Sequence, residues 1–321
     1  RIGVQAQDVH VSAMPPANLV FLVDVSGSMD EPNKLPLVIS SLQMLTQQLR
    51  PQDKVSLVVY AGRTEVVLEP TAGNKKADIQ AALGRLQAGG STAGTSALAL
   101  AYKMARKGYV ANGINRILLA TDGDFNVGVT DTHQIKDMVK RERESGITLS
   151  TLGFGQGNFN DAMMEQIADV GNGNYSYIDS LNEARKVLVD ELSSTFNTVA
   201  KDVKVQIEFN PNVVAEYRLI GYENRQLNRE DFNNDKVDAG DIGAGAEVTA
   251  IYEITPAGAA PAVDASRYAP AKADADKSVP SSSGELAFVK LRYKLPKEDT
   301  SKLVTLPVLP DMNAGISAAA Q

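Results

Sequence analysis

Three near-continuous apolar runs of strand length, Leu19–Val23, Val55–Tyr60 and Ile117–Ala120, constrain this chain most, and Ile147–Leu152 reads as a further buried strand. Strands that are apolar on both sides belong in a sheet covered on both faces. Segments of helical spacing lie between them. In the first, Leu35, Val38, Ile39, Leu42, Leu45 and Leu49 form a buried stripe, with Asn33 placed as its cap and Pro36 in its first turn. The alternation predicts right-handed crossovers and a doubly wound, mostly parallel α/β sheet. Ligands of such sheets gather outside the carboxyl ends of the strands.

Those strand ends are where the polar chemistry collects. The first apolar run closes in Asp24-Val25-Ser26-Gly27-Ser28. A carboxylate and two hydroxyls at i, i+2 and i+4 are hard oxygen donors, the type that magnesium, manganese and calcium prefer. The turn Gly89-Gly90-Ser91-Thr92 leads into another helical pattern, and Thr121-Asp122-Gly123 closes the strand over 115–121. Asp24, Ser26, Ser28, Thr92 and Asp122 together offer two negative charges and three neutral hydroxyls. An octahedral ion held by five such groups keeps one position for water or an outside ligand.

The three elements, in this order, resemble the metal-ion-dependent adhesion site (MIDAS) of von Willebrand factor type A (VWA) domains. The resemblance spans roughly residues 18–196. Within the family the chain is similar to the YfbK-like group of bacterial VWA proteins, through the segments 58–62, 122–128 and 217–224. It implies Asp24, Ser26, Ser28, Thr92 and Asp122 as metal ligands, with Mg2+ as the ion and Mn2+ or Ca2+ as alternatives. It also implies a protein partner whose acidic side chain completes the coordination. The acidic neighbours Asp30, Glu31 and Asp124 oppose such an approach. A second function that the resemblance allows is an accessory scaffold of a larger bacterial assembly, for example with an AAA-type ATPase, in which the metal is structural. The residues themselves do not define a compartment, and the resemblance alone favours a periplasmic or cell-envelope location.

Enzyme chemistry finds little footing. Phosphatases of the haloacid-dehalogenase type need a general acid two residues after the first aspartate, and that position is Ser26. The only histidines, His10 and His133, lie in polar surroundings. Gly153-Phe154-Gly155-Gln156-Gly157 lacks the spacing of a dinucleotide loop. The chain is therefore expected not to be an enzyme. Its net charge of -7 disfavours nucleic acid. Zero cysteines exclude disulfides and thiolate metal sites. No apolar run within it is long enough to span a bilayer.

The chain of 321 residues is long enough for two units. An N-terminal arm over 1–17 is expected to precede the VWA domain at 18–198. A β-rich domain over 199–321 follows, with a flexible insertion at about 255–284. Val203, Val205, Ile207 and Phe209 alternate with polar residues and predict a strand with one wet face. Val248–Ile254 and Leu286–Tyr293 are expected to form a hairpin. Asp231–Asp241 begins like a calcium loop, but Lys236 replaces its glycine and Ile242 its closing glutamate.

Overall fold

The apolar runs become the centre of a six-stranded sheet in the computed structural model, which describes residues 1–90, 95–123, 132–155, 161–191, 194, 196–221, 227–237, 239–260 and 284–310. The side chains of Val11, Thr95 and Thr132 are outside this description. In chain order the strands and helices begin with β1 (Ile2–Gln5), β2 (Ala17–Asp24), α1 (Leu35–Gln48), β3 (Lys54–Tyr60) and β4 (Thr64–Ala72). There follow α2 (Lys76–Leu83), α3 (Thr95–Gly108), β5 (Ile114–Thr121), α4 (Thr132–Glu144), β6 (Thr148–Phe154), α5 (Asp161–Val170), β7 (Tyr175–Ile178) and α6 (Leu181–Arg185). A π-helical turn, Lys186–Asp190, extends α6. The remaining strands are β8 (Thr198–Phe209), β9 (Val214–Leu219), β10 (Gly240–Gly243), β11 (Glu247–Ala250), β12 (Tyr252–Pro256), β13 (Ala287–Lys294) and β14 (Lys302–Val308). Residues divide into two units, Asp8–Asn197 and a second one joining Arg1–Gln7 to the described residues from Thr198 onward.

The first unit carries the sheet β4-β3-β2-β5-β6-β7, parallel except for the β3–β4 pair. Every residue of β2 is buried. Its side chains alternate between two cores, as the period of a strand requires. Leu19, Phe21 and Val23 pack with Leu35, Val38, Leu42 and Leu45 of α1 and Ile79 and Leu83 of α2. Val20 and Leu22 pack with Leu98 and Tyr102 of α3, Ile135 and Val139 of α4, and Met164 and Ile167 of α5. Each such side chain contributes roughly 1.5–3 kcal/mol by leaving water. Helices thus cover both faces, and the sheet is doubly wound.

The turn from α1 to β3 is tied to the start of β2. Asp53 accepts from the backbone of Ala17 at 2.9 Å and from Arg50 Nη2 at 2.8 Å and Nε at 3.0 Å. Arg50 also donates to the carbonyls of Met14 and Pro15, each at 2.7 Å. Burial raises the Asp53 pKa, but these bonds and the guanidinium charge outweigh it and hold the carboxyl below its ordinary value.

The second unit is antiparallel. Its larger sheet runs β10-β8-β13-β14, and β9–β12 and β1–β11 form two-stranded ribbons. The N-terminal segment therefore supplies a strand to this unit. The expected hairpin does not form: β13 pairs with β8 and β14, and Val248–Ile254 is split at Ile251 between β11 and β12. The expected wet face of β8 is also corrected, because Asp202 and Lys204 are buried and Val205 is exposed. The cause is a charge network. Asp202, with φ of 52°, meets Lys294 Nζ at 2.7 Å and Lys204 Nζ at 3.5 Å. A break in the β8–β13 register between Arg292 and Lys294 accompanies this turn of the backbone. Toward the other end of the strand, Phe209 stacks on Tyr217 with ring centres 4.4 Å apart.

Candidate metal centre

Asp24 is the last residue of β2, paired with Tyr60 of β3, and is completely buried. One carboxylate oxygen accepts from the Ser26 backbone at 2.8 Å, and the other accepts from the Thr121 hydroxyl at 3.2 Å. Burial raises the Asp24 pKa above its ordinary value, and the charge of Asp122 adds to this against the bonds from Ser26 and Thr121. The buried Tyr60 hydroxyl is pushed well up, first by burial and then by the Asp24 charge. The pocket therefore disfavours a lone carboxylate and favours either a proton on it or a cation beside it.

Ser26 begins a short 3₁₀ turn, Gly27–Met29, fastened by the buried Met29. A serine here ordinarily caps the following turn. Ser26 makes no side-chain cap bond; its hydroxyl lies 3.0 Å from that of Ser28. Ser26 is buried and Ser28 exposed, so the pair leads from the protein interior to the rim. Asp122, just beyond β5, turns at the same edge, and the Gly123 amide donates to the Thr121 hydroxyl at 3.2 Å. Asp24, Ser26, Ser28 and Asp122 are thus brought to one strand edge. Among the described residues no three His, Cys, Asp or Glu side chains cluster as a metal site. The acidic groups that the structure places at this edge are the carboxylates of Asp24 and Asp122, beside the hydroxyls of Ser26 and Ser28.

Thr92 and Asp124 lie outside the described residues. The turn before Thr92 is nevertheless joined to the first loop, by Gly89 N donating to the Val25 carbonyl at 2.8 Å and Gly27 N to the Gly90 carbonyl at 3.1 Å. Gly90 has φ of +89°, and a Cβ there would lie 3.1 Å from the Gly62 nitrogen. The left-handed conformation favours glycine, and the close backbone approach leaves little room for a side chain.

Two residues at the site escape a sequence reading. Thr121 looks like an ordinary strand residue, yet it orients Asp24. Lys34, rather than Asn33, occupies the N-cap of α1 and makes no side-chain cap bond there. Its ammonium donates to the Ser28 carbonyl at 2.9 Å and Glu31 at 3.2 Å, and lies 3.3 Å from Asp122 Oδ2. Burial pulls its pKa down, but Glu31 and Asp122 outweigh this and the net shift is upward, so the ammonium stays charged. The signal was its spacing from the serines, which a solvated helix-start lysine shares.

The Asp231–Asp241 loop turns its oxygens to the protein's own cations. Lys204 Nζ donates to the Asn234 carbonyl at 2.6 Å, Lys294 Nζ to the Asp235 carbonyl at 2.7 Å, and Arg292 to the Asn233 side chain at 2.9 Å. The Asp235 carboxylate accepts from the Ser301 hydroxyl at 2.6 Å. Asp238 is outside the described residues.

The winding of the sheet and the oxygen donors at its edge define the class, and the chain belongs to the VWA family: the family model of the von Willebrand factor type A domain matches residues 18–191. A second family model, the C-terminal region of the uncharacterized protein YfbK, matches 194–321. The chain is 53% identical to the YfbK protein of Escherichia coli K12 over 318 residues, which is 98% of this chain and 54% of that protein. It is 33% identical to the sll0103 protein of Synechocystis over 184 residues, covering 57% of this chain and 43% of the relative. The chain thus spans about half the length of these curated relatives. In structure it is similar to a von Willebrand factor type A protein from Catenulispora acidiphila, with a TM-score of 0.54 and 16% identity over 93% of this chain and 68% of that one. That likeness concerns the fold. No helix among the described residues is long and apolar enough to cross a membrane.

Proposed function

We propose that this chain is a divalent-metal-dependent protein-binding module, with Mg2+ held by Asp24, Ser26, Ser28, Thr92 and Asp122. The observation that carries this reading is the buried Asp24 carboxylate beside a serine pair whose hydroxyls are turned to each other rather than to a helix cap. The donor chemistry fits a hard divalent ion, which would supply positive charge at the rim for an acidic side chain of a partner protein. Asp24 and Asp122 bring the negative charge, and the hydroxyls orient without adding any. Neutral donors leave the centre electron-poor toward an incoming oxygen, and the surrounding loops select the partner. The module is not an enzyme in this reading, since Ser26 stands where a general acid would be needed.

A magnesium titration of the melting temperature tests it. The temperature is expected to climb with the logarithm of the Mg2+ concentration above Kd, and Asp24→Ala is expected to flatten the climb. A wild-type protein indifferent to Mg2+, Mn2+ and Ca2+ alike would overturn the assignment. Partner capture that survives EDTA unchanged would overturn the adhesion-type contact.

A further inference from the structure

The Lys34 side chain is only 11% exposed, although lysine is among the residues least often buried. Its stem is clamped. Gly155, at the end of β6 with φ of +87°, lies so close that a Cβ there would be 2.7 Å from Lys34 Cε and 2.9 Å from Cγ. The Gly155 carbonyl in turn accepts from the Tyr177 hydroxyl of β7. Four segments thus hold one ammonium at the candidate site: the serine turn, the start of α1, the end of β5 and the end of β6. The oxygens around it are a backbone carbonyl and two carboxylates, the surroundings a small cation would choose. Lysine is a compact point charge, suited to stand in for such an ion.

We propose that Lys34 is a tethered cation that competes with the divalent ion for Asp122 and so sets the affinity of the site. This rests on the metal reading above. With the ammonium at Asp122, two carboxylates are already partly neutralised, and a second cation meets repulsion from a fixed positive charge a few ångströms away. Glu31, more than half exposed, is the other carboxylate that meets the ammonium among the described residues. Ion binding shifts Lys34 from Asp122 toward Glu31, and removal of the ion returns it. The residue therefore trades affinity for an Asp122 that is held in place when no ion is bound.

The test is calorimetric titration of the full chain with Mn2+ and Mg2+, in parallel for wild type, Lys34→Met and Asp24→Ala. Lys34→Met keeps the stem and removes the charge, and it is expected to tighten binding by about tenfold. Equal or weaker binding by Lys34→Met, with wild type still binding, would sink the tethered-cation proposal and leave the metal reading standing. Binding by neither protein would sink the metal reading itself. If Lys34→Met fails to fold, NMR of the Lys34 ε-methylene in the wild-type protein decides. Its resonance is expected to move as Mg2+ is added and to return with EDTA. A saturated site with an unmoved Lys34 signal would overturn the proposal.

Discussion

Two acidic loops in this chain offer oxygen donors of the kind a cation takes, and they meet different surroundings. Within Asp231–Asp241, oxygens of Asn233, Asn234 and Asp235 accept from Lys204, Lys294, Arg292 and Ser301, so the chain brings its own counter-charges there. At the edge of the VWA sheet one ammonium, that of Lys34, faces Asp122 while Asp24 sits buried with hydroxyl and amide donors around it. The nature of the groups that meet an acidic loop, charged side chains from distant strands or hydroxyls and amides of neighbouring loops, separates the two cases. Composition alone does not distinguish the two cases, because the balancing residues come from distant strands.

The comparison is broken most severely at Asp202, which stands between two ammonium groups beneath the first of these loops. Asp202→Ala leaves Lys204 buried without its carboxylate, and about 3–5 kcal/mol of stability is expected to disappear in urea unfolding. A loss under 1 kcal/mol would show that water already does the neutralising. At the sheet edge, Mg2+ at about a hundred times its Kd is expected to add about 2.7 kcal/mol of stability. Replacing both Ser26 and Ser28 by alanine is expected to remove most of that gain while the apo protein keeps its melting temperature within a few degrees.

Asp53 provides a calibration, being a carboxylate whose cation, Arg50, is its near neighbour. Its pKa is lowered by folding, so its contribution is complete above the ordinary carboxylate range and fades as pH falls through the lowered value. Asp53→Asn is expected to lose on the order of 1 kcal/mol at pH 7 and to flatten the acid limb below about pH 4 in a stability–pH profile. The smallest effect expected belongs to Asp235→Asn, which should leave the calcium response of the melting temperature unchanged. A diminished response would restore the 231–241 loop as an ion site.

The sheet was legible because its strands are apolar on both sides and its helices carry one-sided stripes. That Asp24, Ser26, Ser28 and Asp122 share one sheet edge was legible because each follows or closes a buried strand of a wound sheet. Lys34 was hidden, since its destination depends on Gly155 leaving room for the stem. The inverted face of β8 was hidden for a related reason. Asp202 and Lys204 look like solvent-facing residues until Lys294, from a strand far along the chain, arrives to pair with them. Ile251 likewise reads as the middle of one strand, and only the separate partners of β11 and β12 reveal the division.

The two carboxylates and hydroxyls at the sheet edge do not share one stiffness. Asp24 ends the innermost strand, zipped on both sides to β3 and β5, so freeing it requires melting most of the sheet. Ser28 is exposed on a three-residue turn at the surface, outside the ladder of the sheet. In hydrogen exchange the amides of β2 should be among the slowest in the protein and that of Ser28 among the fastest. On the proposed reading, one half of the centre is fixed by the global fold, and the other sits on the exposed turn that faces the partner.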